Sequence, residues 1–160
     1  MTRRVGTLVA LALVVVVLSP APARADLTAF FGVTSTPTNR AARGFAAGIS
    51  LLVVGFEYEY SHTSEDEINA APALTTNTGN ILVKTPTGRV ELYFTAGGGF
   101  YQETYRDFQT TGFGTNLGGG AKITLAGPVR LRLDYRVFAL HGDPLYVHPK
   151  RFYAGVVLSF

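Results

Sequence analysis

The sequence of 160 residues contains no cysteine, so no disulfide bond can hold its fold together. After residue 25 it also has no apolar run approaching the roughly 20 residues of a membrane-spanning helix. It has no convincing amphipathic helix either. The fold must therefore be stabilised by side-chain packing, by closure of a sheet, or by a lipid bilayer.

The one long apolar run lies at the N-terminus. Residues 1–25 begin with two arginines, continue through an apolar stretch from Val5 to Leu18, and end in Ala23-Arg24-Ala25. This order is typical of a secretory signal peptide, and we predict cleavage before Asp26. A retained membrane anchor is the alternative, but the apolar run is shorter than an anchor requires. The sequence therefore predicts a mature domain of residues 26–160.

Loss of the signal peptide would also remove the net positive charge. The chain has 14 lysines and arginines against 11 acidic residues, but Arg3, Arg4 and Arg24 lie in the predicted signal peptide. The mature chain would thus be formally neutral. No basic patch indicates a nucleic-acid partner.

Apolar and polar residues alternate along almost the whole mature chain, which is rich in glycine, threonine, tyrosine and phenylalanine. This pattern predicts eight β-strands, the weakest around residues 77–85. Tight turns are predicted near Leu52 and at 86–88 and 126–128. Longer polar loops are predicted at 37–42, 62–73, 103–112 and 141–149. Short turns at one end and long loops at the other are typical of an all-β, antiparallel, up-and-down transmembrane barrel. A soluble eight-stranded barrel has the same period of two.

The two faces of the predicted strands distinguish these alternatives. The stretch Val129 to Phe138, VRLRLDYRVF, places three arginines and an aspartate on one face and leucine, tyrosine and valine on the other. Elsewhere the polar faces are rich in small residues, and large apolar side chains line the other faces for most of a bilayer-spanning length. We therefore predict that the apolar face contacts lipid and the charged face lines the lumen.

The sequence resembles the small eight-stranded outer-membrane β-barrel proteins of the OmpA membrane-domain and OmpX type. The resemblance rests on the signal peptide, the alternation, GFEYEYS at 55–61, LDYR at 133–136 and a final strand ending in Phe160. It implies that Phe160, with Phe152, Val156 and Leu158, is recognised by the barrel-assembly machinery. The alternative role of Phe160 is that of an aromatic residue at the membrane interface.

The predicted lumen face carries four acidic and four basic residues. They are Glu57, Glu59, Glu91, Lys122, Arg130, Arg132, Asp134 and Arg136. Buried charges are costly unless paired, and an eight-stranded interior is only wide enough for side chains to fill. We therefore predict a balanced network that plugs the lumen. A small porin-like channel is the alternative, although a selective pore usually has an imbalance of charge.

Two glycine triplets, at 97–99 and 118–120, precede no predicted helix, so they do not indicate a phosphate-binding loop. With a hairpin tip near Phe108, Gly98 would face Gly119. Glycine in a strand often marks close approach of another group. We expect the triplets to make room for long interior side chains such as Arg132 or Tyr93, rather than for a ligand in a lateral notch.

Only one stretch suggests catalysis. His62 and Ser64 form a His-x-Ser pair that resembles the site of outer-membrane lipid A deacylases, and Glu65 or Glu67 could orient the histidine. A polar loop at the membrane edge is the expected interpretation. The acidic run at 65–67 could bind a divalent cation together with lipopolysaccharide, but such runs are usually solvated. His141 and His148 are expected to be loop residues, not metal ligands.

The sequence thus predicts a non-enzymatic outer-membrane barrel whose exposed loops contribute to envelope integrity or surface interactions. A channel and a lipid A-modifying enzyme remain the alternatives. The expected partners are outer-membrane lipid, lipopolysaccharide and the barrel-assembly machinery. No cofactor or metal is expected, and we expect a monomer.

Overall fold

A computed structural model of the chain describes residues 23–86 and 88–160 and contains eight β-strands. They are β1 (Arg24–Thr34), β2 (Arg40–Leu51), β3 (Val54–Thr63), β4 (Ala73–Lys84), β5 (Val90–Tyr105), β6 (Phe108–Ala126), β7 (Val129–Leu140) and β8 (Lys150–Ser159). No helix in these two ranges is long and apolar enough to cross a membrane. Most of the predicted signal peptide, residues 1–22, lies outside the described residues.

The strands form a closed antiparallel barrel in which each strand pairs with its neighbours in the sequence. The ring closes between the first and last strands, where Thr28 pairs with Val157 and Phe31 with Ala154. Closure gives every strand a partner on both sides and leaves no exposed sheet edge. The eight-stranded antiparallel barrel predicted from the alternation is confirmed.

The barrel has its charged side chains inside and its large apolar side chains outside. Phe31 and Phe152 have 64% and 52% of their surface exposed, whereas Arg132 has 0% and Arg136 has 0%. A soluble barrel would show the opposite arrangement. The structure therefore supports a lipid-facing outer surface over the soluble alternative.

The connections differ in length at the two ends of the barrel. The end that carries both chain termini, called here the inner end, has two-residue turns at residues 52–53 and 127–128 and a short link at 85–89. The opposite end, called the outer end, has loops at 35–39, 64–72 and 141–149. These connections agree with the tight turns and three of the long loops predicted from the sequence.

The prediction of a fourth long loop, at residues 103–112, is wrong. Strands β5 and β6 continue through it to a two-residue turn at Arg106 and Asp107, where Arg106 has a φ of 53°. The two strands have 16 and 19 residues, more than the 9–11 that span a bilayer. The hairpin therefore projects beyond the outer end. Polar side chains in this segment suggested a loop, but two strands that pair with each other satisfy their backbone groups without burying those side chains.

The same difference corrects the predicted pairing of the glycine triplets. Gly98 lies opposite Thr115, and Gly119 lies opposite Phe94. The hairpin tip is at 106–107 rather than near Phe108, and moving a tip by two residues shifts every cross-strand partner by four. The two triplets therefore do not face each other.

Candidate functional site: the charged lumen

All eight charged residues predicted to line the lumen lie inside the barrel, and none is more than 6% exposed. They belong to β3, β5, β6 and β7, and their side chains point inward because they share the inward phase of each strand. The structure divides them between a central layer and a layer nearer the inner end, each with its own ion pairs.

The central layer joins opposite walls of the barrel. On β7, Arg132 and Arg136 reach across the lumen to Glu57 on β3, with nitrogen–oxygen distances of 2.5 and 3.0 Å. Arg136 also lies 3.1 Å from Glu59, and both arginines contact Asp134, at 3.1 and 3.0 Å. Each carboxylate in this layer therefore contacts at least one guanidinium, which offsets much of the cost of burial.

Two tyrosines complete the hydrogen bonds of this layer. The Tyr93 hydroxyl donates to Asp134 Oδ2 at 2.5 Å and accepts from Arg132 Nε at 2.7 Å. The Tyr153 hydroxyl donates to Glu59 Oε2 at 3.2 Å. Tyr93 was assigned to the polar face of its strand, but the role of Tyr153 was missed. Buried phenols usually find such a partner, so an inward tyrosine beside predicted charges was a usable signal.

Arg151 on β8 is a central-layer residue that the sequence analysis missed. Its guanidinium pairs with Glu59 and donates to Ser61, and it lies within 5.0–5.4 Å of the ring centres of Phe30, Phe138 and Tyr153. These aromatic faces attract the cation. The alternation of the last strand places Arg151 in the inward phase, opposite to Phe152, so the pattern alone could have identified it.

The second layer lies nearer the inner end. Lys122 contacts Asp26 at 2.5 Å, and Asp26 also accepts from the Ser159 hydroxyl at 2.6 Å. Glu91 lies 3.6 Å from Lys84 and 3.5 Å from Arg130. Asp26 and Lys84 were not predicted. A cavity between Asp26, Lys84 and Lys122 measures about 10 Å³, which is room for about one water molecule.

The charge count of the lumen differs from the prediction. The two layers contain five carboxylates and six cationic side chains among the described residues, instead of four of each. Asp26, Lys84 and Arg151 account for the difference. The lumen is nevertheless cross-linked from wall to wall.

An apolar cluster covers the network towards the outer end. It consists of Leu74, Tyr101, Phe138 and Leu140, each at most 4% exposed. The Tyr101 hydroxyl donates to the backbone carbonyl of His141 at 2.9 Å, which joins the cluster to the last outer loop. An apolar layer therefore separates the charged network from the outer end of the barrel, where Arg40 and Glu103 are also buried.

The glycine triplet on β6 makes room for long lumen side chains. A Cβ atom on Gly120 would lie against the Leu133 carbonyl oxygen and 2.8 Å from Cζ of Tyr93, and one on Gly118 would lie against the Tyr135 carbonyl oxygen and 2.8 Å from Cγ of Arg136. Both distances are shorter than normal carbon–carbon contacts. Tyr93 was one of the two side chains expected to use this space, and Arg136 takes the place of the other, Arg132.

The structure does not assemble His62 and Ser64 into a catalytic site. His62 faces outward from β3, and its Nδ1 lies 3.1 Å from the Thr75 hydroxyl. Ser64 is exposed in the following loop, and Glu65 accepts a hydrogen bond from the backbone of Arg106 at 3.0 Å. A serine nucleophile needs a base within hydrogen-bond reach, and His62 and Glu65 are engaged with Thr75 and Arg106 instead.

The acidic run at 65–67 organises its own loop. Asp66 accepts hydrogen bonds from the backbone of Ile68 and Asn69 at 3.1 and 3.2 Å, and from the Asn69 side chain at 2.9 Å. These bonds lower the pKa of Asp66 below its ordinary value, and the bond from the Asn69 side chain has the largest effect.

Among residues 23–86 and 88–160, no three His, Asp or Glu side chains are grouped to hold a metal ion.

The four residues of the expected assembly signal lie on the outer surface. Phe152, Val156 and Leu158 are 52%, 52% and 39% exposed. Phe160 is 73% exposed and lies at the inner end of the barrel, just after β8. Backbone hydrogen bonds join Phe160 to Ala25, the last residue of the predicted signal peptide, so cleavage before Asp26 would remove them. The side chains are thus accessible to another protein before lipid surrounds them.

The profile of a family described as "Outer membrane protein beta-barrel domain" matches residues 9–160. No curated protein sequence gives a significant match.

Solved structures with the same fold include Neisserial surface protein A, at 16% identity and a TM-score of 0.67, covering 86% of this chain and 96% of that one. The N-terminal barrel domain of Pseudomonas aeruginosa OprF has 15% identity and a TM-score of 0.66, covering 86% and 97%. The outer membrane enzyme PagL has 11% identity and a TM-score of 0.53, covering 83% and 98%. At these identities, the similarity concerns the fold alone.

Proposed function

The chain belongs to the outer-membrane β-barrel family, and from that premise we propose that it is a non-enzymatic integral outer-membrane protein with a plugged lumen. In this proposal the N-terminal segment directs export and is cleaved before Asp26. The outer loops and the β5–β6 hairpin face the cell exterior, where they contribute to envelope integrity or surface interactions.

The observation that carries the proposal is the pairing of Arg132 and Arg136 with Glu57 across the full width of the lumen. These ion pairs join β3 to β7, which are four strands apart in a ring of eight. Ions could pass only if these buried pairs separated, and exposing unpaired charges inside a narrow lumen is unfavourable. The geometry therefore favours a closed barrel over a channel.

The outer end supports a role in surface interactions. Several large apolar side chains are exposed there, among them Ile68 at 95%, Phe108 at 79% and Leu145 at 57%. They lie on two different outer loops and on the hairpin tip, beyond the span that lipid would cover. Exposed apolar groups on a water-facing surface are often sites of contact with other molecules.

Two measurements test the proposal against its alternatives. Planar-bilayer recordings should show no defined conductance steps for the purified barrel, whereas regular steps would favour the channel. The double variant Arg132→Ala/Arg136→Ala is the positive control. It removes both cations that pair with Glu57 across the lumen, so its conductance should be higher than that of the parent.

Mass spectrometry of lipid A tests the enzyme alternative. Lipid A from cells that produce the barrel should have the same acyl chains as lipid A from cells that do not. Loss of an acyl chain that depends on His62 and Ser64 would contradict the non-enzymatic proposal.

A further inference from the structure

A pocket of about 550 Å³ opens on the lipid-facing side of β1, β2 and β3. Arg43 and His62 are direct cross-strand partners, and they form the rung of the pocket that lies nearer the outer end. Phe45 and Tyr60 form the next outward-facing rung, with ring centres 5.5 Å apart, and Ala29 lines the neighbouring strand. The pocket therefore has a polar end towards the outside and an apolar wall towards the membrane centre.

Arg43 is unusual on this surface. It is an exposed cation that points outward between Phe31, which is itself 64% exposed, on β1 and His62 on β3. Within the described ranges it has no ion-pair or side-chain hydrogen-bond partner, unlike the lumen arginines Arg132, Arg136 and Arg151. Charged residues on a lipid-facing surface are costly in hydrocarbon and usually mark a functional contact.

The position of Arg43 along the barrel places it at the depth of a lipid headgroup. Arg43 is three residues from the start of β2 at the outer end, which is roughly 10 Å along the strand at about 3.3 Å per residue, and less along the barrel axis because strands are tilted. His62 lies at the same level, and its Nδ1 contacts Thr75. When Nδ1 accepts from the Thr75 hydroxyl, Nε2 carries the ring proton and can donate a hydrogen bond.

We propose that this pocket binds a phosphate group of a lipopolysaccharide molecule in the outer leaflet, with one of its acyl chains against Phe45 and Tyr60. A guanidinium forms two parallel hydrogen bonds to phosphate, and an imidazole at the same level adds a third donor. The apolar wall continues from that point towards the membrane centre, as an acyl chain does. The inference deepens the proposed function and rests on its assignment of the long-loop end to the cell exterior.

Lipopolysaccharide is favoured over a phospholipid because the pocket is at the outer end. The outer leaflet there consists mainly of lipopolysaccharide, whose lipid A part combines phosphate groups with several acyl chains. Phosphatidylglycerol has a phosphate as well, so it is included as a competing ligand in the test.

The test is native mass spectrometry of the barrel purified from outer membranes and titrated with bisphosphorylated lipid A in detergent micelles. Arg43→Gln should weaken binding by about tenfold or more, because the charge-assisted hydrogen bonds from the guanidinium to the phosphate are lost. Arg106→Gln is the matched control, because it removes one exposed arginine at the hairpin tip outside the pocket, and it should bind as the parent does. Ala29→Trp should also weaken binding, because its indole would occupy the apolar wall while Arg43 and His62 remain.

The ligand series separates the possible sources of the phosphate. Dephosphorylated lipid A should bind about tenfold more weakly than the bisphosphorylated form, and this loss should disappear in Arg43→Gln. Equal binding of Arg43→Gln and the parent, or equal binding of both forms of lipid A, would overturn the proposal. Phosphatidylglycerol bound as tightly as lipid A, with the same dependence on Arg43, would overturn the assignment to lipopolysaccharide. If lipid A binding does not depend on Arg43 but cysteines in the outer loops are still labelled from outside the cell, the pocket proposal fails and the proposed function is unaffected.

Discussion

Arg132 and Glu57 meet across the lumen from opposite walls of the barrel. Nη1 of Arg132 lies 2.5 Å from one carboxylate oxygen of Glu57 and Nη2 lies 3.1 Å from the other, so the guanidinium contacts both oxygens. Both residues are buried, at 0% and 6% exposure. This pair connects strands that are 75 residues apart at these positions, and it makes the lumen network sensitive to loss of either partner.

Arg132→Ala should therefore lower the free energy of unfolding by about 3–5 kcal/mol, because it leaves Glu57 buried without its closest cation. Adding Glu57→Gln should recover part of this loss, since it removes a buried carboxylate that would then have only Arg136 as a cation. Folding titrations into lipid vesicles would measure both effects. Glu91→Gln is the matched control, because Glu91 lies in the other layer, and it should not rescue Arg132→Ala. Equal rescue by Glu57→Gln and Glu91→Gln would contradict the specific pairing.

Leu133, one position after Arg132, tests the outward face. It pairs with Ala121 and Ala154 on the neighbouring strands, in the phase opposite to the lumen charges. Leu133→Arg should cost about 2–4 kcal/mol if the side chain lies near the bilayer midplane. Leu145→Arg, in the last outer loop, is the control and should have little effect because that side chain is exposed beyond the strands. A Leu133→Arg barrel that folds into vesicles as readily as the parent would mean that Leu133 does not face lipid.

The glycine pair Gly120 and Gly79 tests the packing around Tyr93. Gly120→Ala would bring a methyl group against the Leu133 backbone carbonyl oxygen and the Tyr93 phenol, and overpacking of this kind costs about 1–3 kcal/mol. Gly79→Ala should change stability little, because a Cβ there would have no heavy atom within 4 Å. Urea unfolding of the two variants in the same lipid would compare them. Similar stabilities for both would contradict the close packing of Tyr93 and the Leu133 backbone around Gly120.

The orientation can be tested because the chain has no cysteine of its own. Single cysteines at Glu67 and Asp143, both exposed in outer loops, should react with an impermeant thiol reagent on intact cells. A cysteine at Arg89, in the short link at the inner end, should react only after the outer membrane is permeabilised. The reverse pattern would place the termini on the cell surface and remove the basis for outward-facing loops.

Assembly provides the last prediction. Replacing Phe160 with aspartate should slow insertion and leave more protein in the periplasm, because the expected recognition signal includes this terminal aromatic side chain. Phe108→Asp is the control, since Phe108 is similarly exposed, at 79% against 73%, but lies at the hairpin tip. Heat-modifiable migration on gels would report the folded fraction. Equal outer-membrane yields for Phe160→Asp and the parent would argue that Phe160 is only an interfacial residue.

Some of the candidate site was visible in local pattern and some was not. Arg130, Arg132, Asp134 and Arg136 occupy alternate positions of one strand, so the period of two identifies their common face without any knowledge of the fold. Asp26 and Lys84 are single charges near the ends of their strands, where alternation is weakest. Arg43 was overlooked because a single outward charge among small residues looks like part of a loop until the strand bounds are known.

Local alternation was enough to predict the fold class and the direction of each face, because side chains alternate strictly along a strand and a slip by one residue would reverse them all. Which charges meet depends on the closed barrel. Glu57 and Arg132 become partners because closure of the ring brings β3 and β7 across a lumen narrow enough for two side chains to span. The hairpin tip at 106–107 was decided in the same way, since register depends on backbone pairing between strands and not on the order of polar residues within one strand.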